Sequence, residues 1–198
     1  QWHHEYRDYD HDNDDKHFLG ESGRLNGQDV IEIICRQDAT AKFVARHIYN
    51  FFVADEVPVP QWSHTDPRDP AAVEFIAQAY KKYDHDIKSV MRELFNSEFF
   101  KASLYSRVKS PTELIIGTLR TTGEYSLPVG GEVGIYSVME EGGFMGQKLL
   151  DPPSVEGWHT GEEWITSGAL VDRVNFVTSH IANEDNPGVK RLLDKVTS

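Results

Sequence analysis

An aspartate-rich segment near the start of the chain carries the residues whose spacing could most directly bind a metal. Counted from Asp10, aspartates at the first, third and fifth positions and a glutamate at the twelfth match ligand positions of a helix-flanked calcium loop. These residues are Asp10, Asp12, Asp14 and Glu21. However, the sixth position is Asp15, where such a loop requires glycine, and no helical pattern precedes Asp10. The pattern therefore favours a solvated acidic loop, with an irregular calcium site as the alternative.

Histidines in the same stretch offer nitrogen ligands in addition to the carboxylates. They are His3, His4, His11 and His17. Zinc sites on helices often use two histidines four residues apart, and this stretch has no helical pattern that would present such a pair. Calcium is therefore the first cofactor to test, and zinc is the less favoured one.

A loop rich in proline, glycine and tryptophan covers residues 149–165 and includes the run LDPPSVEGWHTGEEWI. Its two prolines fix the backbone, and Gly157 permits a sharp turn. Trp158 and Trp164 supply two large apolar surfaces. The favoured interpretation is a structural clasp, because buried tryptophan is more often packing than recognition. The alternative is a platform on which a carbohydrate or a peptide stacks.

Three basic residues beside apolar helix faces are further candidates for ligand binding. They are Lys109, Arg120 and Arg173. An arginine in such a place usually bonds a carbonyl at a helix end or a carboxylate, although it can instead hold an anionic substrate group. A nucleophile elbow, a phosphate-binding glycine loop and a Cys-x-x-Cys pair are all absent from the sequence.

Helices are the elements that must position these groups. Polar caps and first-turn prolines recur along the chain, followed by apolar residues at three- and four-residue spacing. Residues 1–28 lack such a period and are predicted to form an acidic loop or arm. Residues 29–198 are predicted to form a single all-α domain, an orthogonal bundle of about seven helices with long ordered loops.

The same patterns predict individual boundaries and faces. After a short helix over 29–36, caps are predicted at Asp38, Asp69, Asp86, Ser97 and Ser110, with a stop at Gly123. A Pro/Gly linker over 124–131 precedes predicted helices over 132–147, 166–182 and 187–196. The predicted buried face of the helix after Asp38 comprises Phe43, Val44, His47, Ile48, Phe51 and Phe52. That of the helix over 166–182 comprises Leu170, Val174, Phe176 and Val177.

Composition excludes two classes of function. The net charge is -12, with 20 basic and 32 acidic residues, so long-range repulsion disfavours nucleic acid as a partner. No apolar run is long enough for a membrane-spanning helix. The single cysteine, Cys35, lies in an apolar stretch and is predicted to be a buried thiol without a reactive role.

Five motifs in a fixed order resemble the C-terminal half of a bacterial family catalogued as domain of unknown function 1800. They are HDNDDKHFLG, ATAKFVARHIYNFFV, DIKSVMRELFNSEFF, KSPTELIIGTLR and LDPPSVEGWHTGEEWI. The resemblance covers nearly the whole chain. It implies a mostly helical, exported bacterial protein, periplasmic or secreted, often encoded beside an exported companion protein. It also implies an upstream helical half outside this chain, and no established reaction.

Within the arm, the family pattern emphasises His11, Asp12 and Lys16. A structural ion pair between Asp12 and Lys16 is the favoured interpretation, and an anchor for a ligand or for the upstream half is the alternative. Two function classes therefore stay open. The favoured class is a binding or assembly module that holds a partner protein or glycan. The other is a hydrolase-like enzyme with a polar site around His11, Asp12 and Lys16, which Arg120 or Arg173 would complete.

Overall fold

The computed structural model describes residues 5–124, 133–155, 157–158 and 160–197. Within these residues the protein is mostly helical, which confirms the all-α prediction. The helices are α1 (Gly27–Cys35), α2 (Asp38–Phe52), α3 (Pro70–Lys82), α4 (Ile87–Asn96), α5 (Glu98–Ala102), α6 (Pro111–Thr122), α7 (Val133–Phe144), α8 (Ser167–Ile181) and α9 (Pro187–Thr197). None of these helices combines the length and the hydropathy that crossing a membrane requires.

The helices group into two compact units. The first unit comprises Gln1–Val53 and Asp66–Leu104, and the second comprises Ala54–Thr65 and Tyr105–Ser198. The segment Ala54–Thr65 therefore belongs to the second unit, although helices of the first unit flank it in sequence. Sequence periodicity identifies helices one at a time and does not show which of them share a core.

The acidic arm contains a small β-hairpin, so the prediction that it is entirely loop is wrong. Strand β1 (Lys16–Phe18) pairs antiparallel with β2 (Glu21–Gly23), and His17 lies opposite Ser22. Leu19 and Gly20 form the two-residue turn with φ angles of 47° and 89°, as a type I′ turn requires at both positions. The strands are only three residues long, too short for an alternating pattern to be recognised.

The buried face of α2 includes two alanines and lacks the phenylalanines, which corrects the predicted phenylalanine face. Ala41, Ala45 and Ile48 are buried where α2 packs against α3, whereas Phe43 and Phe51 are exposed. The two alanines are small enough to lie against a neighbouring helix, whereas the predicted phenylalanines face solvent. Ile48 is the member of the predicted face that is buried.

Polar caps begin the helices as the sequence predicts at Asp69, Asp86, Ser97 and Ser110. Ser110 forms a capping box with Glu113, and Gly123 ends α6 with a φ of 70°. Asp38 is an exception, because it is the first helical residue and Gln37 precedes it as the cap. The carboxylate of Asp38 instead lies 2.6 Å from the ammonium of Lys81.

The core of the second unit contains buried residues from α6 and α8 together with Met145, which follows α7. They are Ile115, Leu119, Met145 and Phe176. Helix α8 buries Ala169, Arg173 and Phe176, so the predicted face is right at Phe176 and wrong at Leu170 and Val174, which are exposed. An arginine therefore occupies a core-facing position that the hydrophobic pattern assigns to solvent.

Candidate functional site

The arm residues His11, Asp12 and Lys16 make local contacts. The Lys16 ammonium donates to the main-chain oxygens of Asp12 and Asp14, and it lies 3.9 Å from the Asp12 carboxylate. The ion pair expected between Asp12 and Lys16 is therefore present. His11 Nδ1 lies 3.3 Å from the side-chain oxygen of Asn13, so it also contacts a near neighbour in sequence.

The described side chains do not assemble a metal site. No three histidine, cysteine, aspartate or glutamate side chains among them are grouped in a way that could hold an ion. Asp10 pairs with Arg7 at 3.8 Å, and Asp12 accepts a hydrogen bond from the Asp14 main-chain N–H at 2.9 Å. His3 and His4 lie outside the described residues. The calcium and zinc sites therefore gain no support from the structure and remain sequence predictions.

The loop over 149–165 packs against the segment Ala54–Thr65 within the second unit. Asp55 is buried, and its carboxylate accepts a hydrogen bond from the Val108 main-chain N–H at 2.8 Å. Gly161 lies against the Asp55 side chain, so a Cβ atom at position 161 would be 3.0 Å from Cβ and Cγ of Asp55. Trp164 is only 5% exposed. Trp164 therefore has a packing role, as a clasp requires, and offers no open face on which a ligand could stack.

Trp158 differs from Trp164 in its burial and in its hydrogen bonding. It is half-buried, and its indole N–H is shielded from solvent without an acceptor among the described residues. A buried indole N–H normally finds a partner. The indole N–H of Trp158 is thus a hydrogen-bond donor that the described residues leave without an acceptor.

The three basic candidates occupy different environments in the second unit. Arg173 is 8% exposed, and one of its terminal N–H groups donates to the main-chain oxygen of Lys109 at 2.7 Å. Lys109 and Arg120 are exposed. Arg173 thus contacts Lys109 at its main-chain oxygen, and the ammonium group of Lys109 takes no part in this hydrogen bond. Burial lowers the pKa of Arg173 from its ordinary value.

A cavity of about 430 Å³ lies between α7 and α8. Its polar lining includes Glu141, Asp172, Asn175 and His180, and its apolar lining includes Phe144 and Phe176. Phe176 belongs to the core, whereas Phe144 is 69% exposed and presents its ring to solvent. Polar groups beside an aromatic surface in a concave space are the general composition of a small-ligand site.

The cavity has an excess of hydrogen-bond acceptors. Glu141 and Asp172 are half-buried, and no basic side chain of the described residues lies within ion-pair distance of either carboxylate. An ionised carboxylate accepts hydrogen bonds and cannot donate them. A ligand that carries hydrogen-bond donors therefore suits this cavity.

His180 is held firmly at the wall of the cavity. Its Nδ1 atom is hydrogen-bonded to the carboxylate of Glu124, and its ring centroid lies 4.4 Å from that of Phe176. The main-chain oxygen of His180 also accepts a hydrogen bond from the Asn186 side chain at 3.1 Å. In many enzymes a carboxylate orients the histidine that acts as a general base. The same hydrogen bond can also serve only to hold the imidazole ring in place.

Sequence reasoning did not identify Glu141, Asp172 or His180 as site residues. They lie on two helices, and the predicted buried face of α8 includes Leu170 and Val174, which are exposed, and omits Arg173, which is buried. Asp172 directly precedes Arg173, which the sequence does identify, so a correct assignment of the buried face would have pointed to the same stretch. Neither this cavity nor the one lined by α3 and α4 in the first unit includes His11, Asp12, Lys16, Arg120 or Arg173 among its lining residues.

Comparison with known proteins gives one significant relationship. No curated protein and no solved structure matches the chain significantly. The model of the family described as "Protein of unknown function (DUF1800)" matches residues 2–198, which is essentially the whole chain. The chain therefore belongs to this family.

Proposed function

We propose that the protein is a non-catalytic binding module whose second unit holds a glycan with free amino groups in the cavity between α7 and α8. The observation that carries this proposal is the pair of carboxylates, Glu141 and Asp172, that line the cavity without a basic partner among the described residues. A location outside the cytoplasm, which the sequence resemblance implies, is part of the proposal, and cell fractionation tests it.

The chemistry of the cavity selects the ligand class. Sugar hydroxyls and ammonium groups both donate to carboxylates, and a charge-assisted bond from an ammonium is about twice as strong as a neutral one. The net charge of -12 favours a cationic ligand over an anionic one at long range. Phe144 adds an exposed aromatic face beside the carboxylates, and such a face attracts a cation or the apolar side of a sugar ring.

Calorimetric titration with three oligosaccharides of equal length tests this proposal. We expect an oligomer of glucosamine to bind more tightly than its fully N-acetylated form, which lacks the charge, or a glucose oligomer, which lacks the nitrogen. Asp172→Asn and Glu141→Gln keep the shape of each side chain and remove its charge. Each should weaken binding of the glucosamine oligomer about tenfold or more, because a hydrogen bond to a charged group contributes roughly 1.5–3 kcal/mol.

The matched control is Asp194→Asn, which neutralises an exposed carboxylate on α9 outside the cavity lining. It should leave the affinity unchanged. If the glucosamine oligomer binds no more tightly than the acetylated one, or if Asp172→Asn and Asp194→Asn behave alike, the proposal is wrong.

Hydrolysis is the second candidate function, and the His180–Glu124 pair at the cavity wall is the observation that favours it. This pair would provide a base and the group that orients it, in place of His11, Asp12 and Lys16. Among the described residues, no serine, threonine or cysteine side chain forms a hydrogen bond with His180. We therefore favour a binding function over hydrolysis. Chromatography of the oligosaccharides after prolonged incubation tests this alternative: shortened products that disappear with His180→Gln would favour an enzyme.

A further inference from the structure

Arg173 is the most buried basic residue of the second unit, and its hydrogen bonding is incomplete. A guanidinium has five N–H donors arranged in a planar fork. Nη2 donates to the main-chain oxygen of Lys109 at 2.7 Å. Nη1 is shielded from solvent and has no acceptor among the described residues. The Nη1 group of Arg173 is therefore a buried hydrogen-bond donor without an acceptor among the described residues.

The charge of Arg173 is also without a counter-charge. No carboxylate of the described residues forms an ion pair with it, and burial alone is the cause of its lowered pKa. Charged side chains are rarely buried unless they are paired, because an uncompensated buried charge destabilises a protein by several kcal/mol. The Lys109 carbonyl fixes the orientation of the guanidinium through this hydrogen bond. Its partial negative charge does not neutralise the full positive charge of Arg173.

We propose that Arg173 is the anchor of a carboxylate-binding site in the second unit, separate from the cavity that Glu141 and Asp172 line. A carboxylate matches the planar fork and supplies the missing negative charge. Because Nη1 has no open surface, a ligand reaches it only when surrounding groups move, which favours a small planar anion over a bulky phosphate. The carboxylate belongs to a free small acid or to one group of a larger ligand, such as a uronic acid.

Thermal unfolding with acetate and acetamide tests the site, since the two molecules share a shape and differ in charge. A ligand that binds only the folded protein raises the unfolding midpoint. We expect sodium acetate to raise it relative to sodium chloride at equal ionic strength, by roughly 5–10 °C at about a hundredfold excess over Kd. Acetamide should have no effect. Glucuronate and glucose form a second pair that shows whether the site accepts a carboxylate on a sugar.

Arg173→Gln keeps an N–H donor and removes the charge, and it should abolish the acetate effect. Arg120→Gln is the matched control, because Arg120 is an exposed arginine of the same unit. It should respond to acetate as the wild type does. An equal response to acetate and acetamide in the wild type, or a full acetate response in Arg173→Gln, would overturn the proposal.

A second measurement keeps the test decisive if Arg173→Gln does not fold. Acetate is titrated into the ¹⁵N-labelled wild-type protein, and the arginine side-chain N–H resonances are followed. Arg173→Lys assigns the resonance of interest by its disappearance. We expect a saturable shift of that resonance with acetate and none with acetamide, and no shift with acetate would contradict the site. Binding of amine-bearing glycans through Asp172 is unaffected by either result, so the two proposals fail separately.

Discussion

Gly161 lies directly against the side chain of Asp55 in the second unit. A Cβ atom at position 161 would be 3.0 Å from both Cβ and Cγ of Asp55, and the φ angle of Gly161 is 57°. The left-handed backbone favours glycine, and a Cβ atom here would press on the Asp55 side chain. The contact fixes the loop over 149–165 to the segment that carries Asp55, whose carboxylate in turn bonds the Val108 N–H.

Gly161→Ala should therefore destabilise the protein by about 1–3 kcal/mol, since the left-handed conformation alone costs an alanine roughly 1–2 kcal/mol. Urea unfolding measures the change. Gly168→Ala is the control, because this helical glycine of α8 has open space at its Cβ position and no positive φ. It should be neutral or stabilise by up to ~1 kcal/mol. Equal losses in the two variants would show that the Asp55 contact is not the cause.

Gly188 is the point at which the start of α9 meets the end of α6. A Cβ atom there would lie 1.9 Å from the main-chain oxygen of Thr121, and a backbone atom cannot turn away as a side chain can. We expect Gly188→Ala to displace α9 and to cost several kcal/mol, as severe overpacking does. Hydrogen exchange should show faster exchange of the α9 amides. Gly27→Ala in α1, where nothing lies within 4 Å, should leave them unchanged.

Helix starts could be predicted from the sequence because their chemistry is local. Asp69, Asp86 and Ser110 each accept a hydrogen bond from a main-chain N–H of the first helical turn, and the relevant residues are neighbours in sequence. The β-hairpin was missed for a local reason as well. Its turn is Leu19-Gly20 rather than the Asn-Gly or Asp-Gly that usually marks a type I′ turn.

Helix faces and the candidate cavity depend on contacts that are distant in sequence. Phe43 and Phe51 share a spacing that fits a buried stripe, yet both are exposed, and Ala41 and Ala45 are buried in the helix that packs against α3. The hydrophobic pattern gives no information about that packing. Likewise, Glu141 and Asp172 belong to one cavity only because α7 and α8 are adjacent in the second unit.

His47 should make the stability of the protein depend on pH near neutrality. His47 is exposed, but partial desolvation of its ring, whose centroid lies 4.5 Å from that of Phe43, lowers its pKa below the ordinary 6.5. As pH falls through about 6.5, the unfolded chain takes up the proton before the folded protein does, so stability decreases. His47→Gln should flatten this decrease in the free energy of unfolding between pH 7.5 and 5.5. His64→Gln, at an exposed histidine outside α2, is the control and should retain the wild-type slope.

Tyr83 should contribute to the acid stability of the first unit through its hydrogen bond to Glu93. Hydrogen bonds from Tyr83 and from Lys82, whose ammonium is 3.0 Å from Glu93 Oε2, hold the pKa of Glu93 below its ordinary 4.5. A lowered carboxyl pKa stabilises the folded state above about pH 4.5, and this contribution is lost as pH falls through the lower folded-state value. Tyr83→Phe removes one hydrogen bond, so the pKa of Glu93 should rise. NMR titration of the Glu93 carboxyl carbon measures this change.

The stability of Tyr83→Phe should therefore fall below that of the wild type at pH 6–7, and the difference should shrink as the solution is acidified. This convergence separates the electrostatic role of the hydroxyl from simple packing, because a packing defect would persist at every pH. Tyr105→Phe removes a hydroxyl from a tyrosine that is 94% exposed, and it should change neither the Glu93 titration nor the unfolding curve. An unchanged Glu93 titration in Tyr83→Phe would exclude the hydrogen bond as the cause.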